Sequence, residues 1–554
     1  MAKRCYLLVG VKPASFCLFL FFTPALFSQS TSVTFSPPSP ASLEAYDYVE
    51  ITAQVSPGVK DCYLHDALSG SFQKQGGAAI EVQGFCDADD GSIYRIRFMP
   101  SLPGNYTYNV SMRGLPGLSA EGASSSGAFG VSVGRRRGPI RVDPEYPWHF
   151  VWEGSGEHYF FNGTTAYWIM GWKDERIIRS SIDRLHRLKV NRMRVALSGR
   201  SFTFYGEPAM NGDAWNYWLS PFVGKAPQDA SHPEFDWDHP NFAYWQKYDR
   251  MLRHARDRDM IMSLVLDMGD NPAHIPAGSA EETRYIRYAI NRFAAFSNIT
   301  WDLGDDLDHF RDQKWTHSTG TMIKEADPYK HLATSHPVDN THQDRTSAWF
   351  DFTSFQEWSR KQHAFMIGQR KQQQATGRII PQTNEEYGYE DHYPLWAEGP
   401  GSESADVLRR TAWDIYMAGG YQTAGETARR GTNIWPDSGG GWLNARGDDT
   451  MTMFLGYGHI VEFFTSFEWW RTEPHDELVD GGNYCLSQSG ELYAIYLPKG
   501  GKVTVQLPAG GQFRARWFDP SSGDWIPIDS PATGPSWTSP EAPGRNDWAL
   551  QLSR

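Results

Sequence analysis

Tyr248-Asp249-Arg250-Met251-Leu252-Arg253-His254-Ala255 leads within a few residues into Met260-Ile261-Met262-Ser263-Leu264-Val265-Leu266, and this junction decides the fold. Tyr248, Met251, Leu252 and Ala255 recur at helical spacing. The run that follows is apolar almost throughout, as a parallel strand covered on both faces requires. The same unit stands on either side: Ile178, Ile182, Leu185 and Leu188 precede Met193-Arg194-Val195-Ala196-Leu197, and Ile286, Ala289, Ile290 and Phe293 precede Ile299-Thr300-Trp301-Asp302-Leu303. Further strands are expected at 166–170, 332–334, 351–355, 378–380 and 421–424, bringing the count to eight. No glycine-rich phosphate loop opens the helices, so a dinucleotide-binding sheet is disfavoured. A closed (β/α)8 TIM barrel over 140–478 accounts for the pattern.

The flanks have a different rhythm. Before the barrel, short alternating runs such as Tyr48-Val49-Glu50-Ile51-Thr52 and Tyr94-Arg95-Ile96-Arg97-Phe98 are separated by Pro and Gly clusters, which predicts a small antiparallel β-sandwich over 29–135. A charged, glycine-bearing linker follows at 134–139. After the barrel, Leu492-Tyr493-Ala494-Ile495-Tyr496 and Phe513-Arg514-Ala515-Arg516-Trp517 predict a second small sandwich over 479–554.

Residues 1–28 read as a cleaved signal peptide: Lys3, Arg4 and Lys12 precede an apolar run at 16–22, far shorter than the about 20 residues a membrane span needs. The expected destination is outside the cell or the periplasm, with no membrane span. Cleavage leaves Cys62, Cys86 and Cys485, and the first two fall in one sandwich, where an oxidising compartment favours a bridge between them. The net charge of −13, with no basic run beyond Arg135-Arg136-Arg137, disfavours nucleic acid as a partner. Aromatic residues at 14%, with 22 Trp, suit both a large core and flat platforms for sugar rings. With no HExxH, paired-cysteine or EF-hand pattern, neither a metal nor a cofactor is expected.

In such a barrel the chemistry lies beyond the C-terminal ends of the strands. Two acidic clusters occupy that position: Asp305 and Asp306 after the fourth strand, and Glu385 and Glu386 after the seventh. Opposed carboxyl groups across a barrel mouth are what glycoside cleavage needs, one to protonate the leaving oxygen and one to meet the sugar cation.

The segment from about 147 to 474 also resembles the clan-A glycoside hydrolases, and within them the apiosidase-like barrels. The resemblance rests on Gly163-Thr164-Thr165-Ala166-Tyr167-Trp168, Asn191-Arg192-Met193-Arg194, Trp301-Asp302-Leu303-Gly304-Asp305-Asp306 and Glu386-Tyr387-Gly388-Tyr389-Glu390. It implies a retaining hydrolase acting on a carbohydrate, with Asp306 as acid/base and Glu386 as nucleophile, Glu385 being the fallback. Asp305 stands where the related barrels carry Asn or Gly. The resemblance places Arg194 beside the nucleophile, and Arg194→Ala is expected to lower activity without unfolding the protein. His336 and Tyr389 are candidate substrate or orienting groups, and Trp168, Trp301, Trp358 and Trp435 are candidate sugar platforms. Glu426, after the eighth strand, is a rival carboxylate. The first flank looks like the sandwich found ahead of such hydrolases, and Trp517-Phe518-Asp519-Pro520 and its surroundings look like a module named for collagen binding. The competing expectation is a non-catalytic glycan-binding or adhesion protein on a degenerate barrel.

Overall fold

The computed structural model describes residues 10, 30–198, 220–224, 235–269, 271, 273–390, 404–426, 445 and 452–554. The expected signal peptide, residue 10 apart, and Trp435 lie outside the described residues.

Eight parallel strands form one curled sheet: β1 (Asn162–Thr165), β2 (Arg192–Ala196), β3 (Ile261–Val265), β4 (Ile299–Asp302), β5 (Ala333–Thr334), β6 (Phe355–Gln356), β7 (Thr383–Glu386) and β8 (Tyr421–Thr423). The order β5-β4-β3-β2-β1-β8-β7-β6 leaves β5 and β6 as the outer pair. The chain just before β6 closes the seam, because Asp351 N donates to Ala333 O at 2.9 Å and Thr334 Oγ1 donates to Phe352 O at 2.7 Å. The architecture is therefore TIM-barrel-like.

Among the described residues, seven helices surround the sheet: α1 (Glu175–Arg187), α2 (Phe242–Arg256), α3 (Ala280–Phe293), α4 (Gln313–Ala326), α5 (Gln362–Ala375), α6 (Ala405–Met417) and α7 (Met453–Phe464). Asp174, Ser279, Asp312 and Ser404 cap α1, α3, α4 and α6 through their side chains, satisfying backbone N–H groups that a helix start leaves without partners. Between β5 and β6 the described chain holds only a short 3-10 turn, Asn340–His342, in place of a helix.

Several strands differ from the sequence reading. The first strand ends before 166–170, where the chain instead turns through the 3-10 segment Ile169–Gly171. The seventh is not the apolar 378–380 but Thr383–Glu386, so Glu385 and Glu386 lie in the strand rather than after it. The cause is a strand polar on both faces: Thr383, Asn384, Glu385 and Glu386 are all buried, with Glu385 2.6 Å from Arg192 and Asn384 Nδ2 donating to Gln362 Oε1 of α5 at 2.8 Å.

The N-terminal flank folds as two facing sheets, one of four strands centred on Val49–Ser56 and Ile93–Phe98, and one of five centred on Gly104–Met112. Cys62 and Cys86 form a disulfide within it. The C-terminal flank is a six-stranded sheet with a two-stranded one, and Cys485 is buried there as a free thiol.

Candidate active site

Side chains alternate along a strand, so Arg192 and Arg194 of β2 both point into the barrel. Both are fully buried. Arg192 Nη1 lies 2.6 Å from Glu385 Oε2, and its Nη2 donates to Ser263 Oγ at 2.8 Å. One step nearer the mouth, Arg194 lies 2.9 Å from Asp302 of β4, 2.9 Å from Asp305 and 3.2 Å from Glu385. Arg194 Nη1 also donates to the Tyr167 hydroxyl at 2.8 Å, which in turn donates to Asp305 Oδ1 at 2.9 Å. The sequence motif carried Arg194 forward, but Arg192, Tyr167 and Asp302 were not singled out. The repeat of arginine at alternate positions in an apolar strand was the available signal.

On the opposite wall, His336 follows β5 and is wholly buried. Its Nδ1 is 2.8 Å from Ser354 Oγ, and its Nε2 is 3.3 Å from Glu386 Oε2 and 3.7 Å from Asp305 Oδ1. One donor atom each from Asp305, His336 and Glu386 lies within 4.8 Å of the other two. The structure thus gathers Arg194, Asp305, His336, Glu385 and Glu386 at one end of the barrel, the end where the strands finish.

The turn after β4 is shaped by close backbone approach. Asp305 N donates to Asp267 O at 3.1 Å, and Gly269 N donates to Asp305 O at 2.8 Å. A Cβ on Gly269 would stand 2.6 Å from Asp306 Cβ, so only glycine lets the loop after β3 pass there. Asp306 itself is half-buried and left-handed, with φ of 48°, a conformation that costs a non-glycine residue roughly 1–3 kcal/mol and concentrates at functional sites.

Burial and like charges raise the carboxyl pKa values of Asp302 and Asp305. For Asp302 and Asp305, loss of solvent outweighs the opposing pull of Arg194, and neighbouring carboxylates add to the rise. For His336, burial and then Arg194 push the imidazole pKa down.

The remaining candidates sit as follows. Trp301 does not line the mouth: it is fully buried on the outer side of β4, and its Nε1 donates to Asp327 at the end of α4 at 3.0 Å, so it packs sheet against helix rather than sugar. Trp168 is buried beside Tyr167, with ring centroids 5.6 Å apart. Tyr389 is buried and meets half-buried Trp358 edge-on at 5.6 Å. Glu426 pairs with Arg184 of α1 at 2.6 Å. A cavity of about 650 Å3 lies between the loops after β4 and β5, lined among others by Asp308, Phe310, Arg311, Trp315, Pro337 and His342.

Comparison with known families agrees with this geometry. Residues 200–427 match the apiosidase-like catalytic domain. The apiosidase-like segment therefore takes in β3 to β8 with Asp305, Asp306, His336, Glu385 and Glu386, while Tyr167 and Arg194 precede it. Residues 42–113 match a domain of unknown function, DUF5060, and residues 475–553 match a family described as "Putative collagen-binding domain of a collagenase". Among solved structures, a "putative glycoside hydrolase" from Bacteroides vulgatus ATCC 8482 superposes with a TM-score of 0.75 at 19% identity, covering 92% of this chain and 99% of that one. A family 5 glycoside hydrolase from the same organism gives 0.57 at 17% identity, covering 75% and 94%. At such identities the likeness shows the fold. No curated protein matches the chain.

Proposed function

We propose that this apiosidase-like protein is an exported glycoside hydrolase that cleaves a carbohydrate with retention of anomeric configuration. The observation that carries the reading is the carboxyl pair at the barrel mouth, Asp305 and Glu386, with oxygens within 4.8 Å of each other and His336 between them. Retaining enzymes hold their two carboxyl groups about 5–5.5 Å apart, whereas inverting ones leave room for a water; the close approach of Asp305 to Glu386 supports retention directly where Asp305 is the acid, and where Asp306 is the acid retention rests on the family resemblance. A buried, net acidic cluster of this kind costs stability and serves proton transfer better than it serves passive adhesion to a sugar surface. The Cys62–Cys86 bridge and the basic-then-apolar start of the chain support export.

In this reading Glu386 attacks the anomeric carbon while an acid at the end of β4 protonates the leaving oxygen. That acid then removes a proton from the water that releases the sugar. Asp306 is assigned as the acid, because Oδ1 of its neighbour Asp305 is held by Tyr167 and Arg194. A second reading makes Asp305 the acid, favoured by its raised pKa and its proximity to Glu386.

The test is turnover on aryl glycosides, an apioside among them, and on plant and algal polysaccharides, with product configuration followed by NMR. Glu386→Gly is expected to lose turnover, with azide restoring it as a glycosyl azide of inverted configuration. Asp306→Ala is expected to slow substrates with poor leaving groups by at least about 100-fold while sparing activated ones, the usual span of general-acid catalysis. If Asp305→Ala shows that leaving-group dependence and Asp306→Ala does not, the roles exchange. Product released with inverted configuration, or glycan binding with no turnover on any substrate, overturns the mechanism or the hydrolase reading respectively.

A further inference from the structure

Among the described residues, Arg192 and Arg194 lie within 3.2 Å of Asp302, Asp305 and Glu385, and on the far side of Asp305 its carboxylate and that of Glu386 face His336. Gathering carboxylates in a buried site is costly, and a bound positive charge relieves that cost.

His336 shows where such a charge would sit. Its ring is fixed by Ser354 Oγ on Nδ1, and its other nitrogen, Nε2, is buried without a hydrogen bond although two carboxylate oxygens face it. With the proton on Nδ1 donated to Ser354, Nε2 presents a lone pair to the same point as Asp305 Oδ1 and Glu386 Oε2. In that tautomer three lone pairs converge on one point, and their repulsion is relieved by a shared proton or by a bound cation.

We infer that Asp305, His336 and Glu386 form a binding site for a zinc-like divalent cation, which occupies the barrel mouth in place of substrate and reversibly shuts the enzyme. One imidazole nitrogen and two carboxylate oxygens are donors that Zn2+ accepts, while Mg2+ and Ca2+ prefer more numerous oxygens. Zinc–ligand lengths of about 2.0–2.2 Å place tetrahedral donors about 3.4 Å apart. The observed 3.3 and 3.7 Å from His336 Nε2 fit this directly. The third edge, no longer than 4.8 Å, closes by rotation of a carboxylate. Ser354 is then the outer partner that orients the histidine ligand. A fourth position is left to water. The inhibitory consequence rests on the hydrolase reading, because a Glu386 oxygen bound to a metal cannot attack a sugar; the binding itself does not.

The experiment uses the full chain, stripped with EDTA and dialysed, and titrated with ZnCl2 by calorimetry. One ion per chain is expected, and Co2+ in its place should give the visible absorption bands of tetrahedral coordination. His336→Gln should weaken Zn2+ binding at least about 100-fold, and Ser354→Ala about 10–100-fold, the usual cost of losing an outer partner. Circular dichroism of both variants separates loss of the site from loss of the fold, and the milder Ser354→Ala keeps the test decisive if His336→Gln fails to fold. On an active substrate, Zn2+ should raise KM and leave kcat unchanged, EDTA should reverse it, and Mg2+ should do nothing. Absence of Zn2+ binding, or binding equally tight in folded His336→Gln and Ser354→Ala, overturns the site. If Zn2+ binds as described but no glycoside is hydrolysed, the cation site stands and the hydrolase reading falls. If glycosides are hydrolysed and Zn2+ leaves the rate untouched, the inhibitory inference falls.

Discussion

Taking away the guanidinium of Arg194 would leave Asp302, Asp305 and Glu385 facing one another inside the barrel with one cation fewer. Removing one partner of a buried ion pair costs about 3–5 kcal/mol, because the partner left behind stays desolvated. Arg194→Ala is therefore expected to unfold in less urea as well as to lose turnover, contrary to the expectation from sequence that it would lose activity alone. Equilibrium urea unfolding checks this. Arg194→Lys is expected to recover part of the stability, since it restores the charge without the planar fork that reaches several carboxylates at once. The sequence marked Arg194 as odd, a charge in an apolar strand. It could not show that its partners come from β4, the turn after β4, and β7, more than a hundred residues away along the chain.

At the scale of the elements, the clear helix-to-strand units were those whose strand residues facing the helices are apolar, as Met193 and Val195 of β2, Met262 and Leu264 of β3, and Ile299 and Trp301 of β4 are. The second, third and fourth strands fell where the pattern placed them, and all of β3 is buried. The seventh lies further on because polar residues occupy both of its faces, Glu385 toward Arg192 and Asn384 toward Gln362 of α5, so the apolar run at 378–380 is only the approach to the strand. The absent helix between β5 and β6 also left no periodic trace. In its place Trp349 packs onto α4 at Gly320, where a Cβ would stand 2.2 Å from the indole ring. A fused ring held in a core cannot move as a flexible chain end can, so Gly320→Ala is expected to destabilise the protein by about 1–3 kcal/mol, the usual cost of overpacking, although alanine is the better helix former. Thermal unfolding of the variant reads it; an unchanged or raised Tm would show that the Trp349 contact yields freely. The place of the acidic clusters was legible because barrel strands finish at one end, but the separate settings of Asp305 and Asp306 depend on a left-handed turn that no residue pattern announces.

At the scale of the whole molecule, both flanking modules are joined to the barrel by buried polar contacts. On one side Arg97 of the N-terminal module and Arg292 of α3 both clasp Asp249 of α2, at 2.7 and 2.8 Å, and Arg292 also reaches Asp87 at 2.8 Å. The two arginines outweigh burial and hold the Asp249 carboxyl down at about 2. On the other side Arg409 of α6 meets Asp547 at 2.6 Å, and Trp413 stacks on Tyr496 with centroids 4.9 Å apart. Near that second contact, burial lifts the Asp414 carboxyl to about 7, against the pull of His363. In the unfolded chain this group ionises near its ordinary value of 3.8, so as pH rises the folded state keeps a proton the unfolded state has lost. Its contribution is neutral at low pH, turns progressively against folding between about pH 4 and 7, and is fully adverse above that. Asp414→Asn, which cannot ionise, should therefore gain Tm over the wild type as pH climbs from about 4 to 8, with little gain at 4. A gap that stays constant across the range would rule this out. The clasp around Asp249 reaches further than stability. Because those ions are dry and shared between the module and the barrel, the peptide linker at 134–139 is not what keeps the two together. A protease that severs it should yield two fragments that still travel as one particle through a sizing column, and part only when denatured.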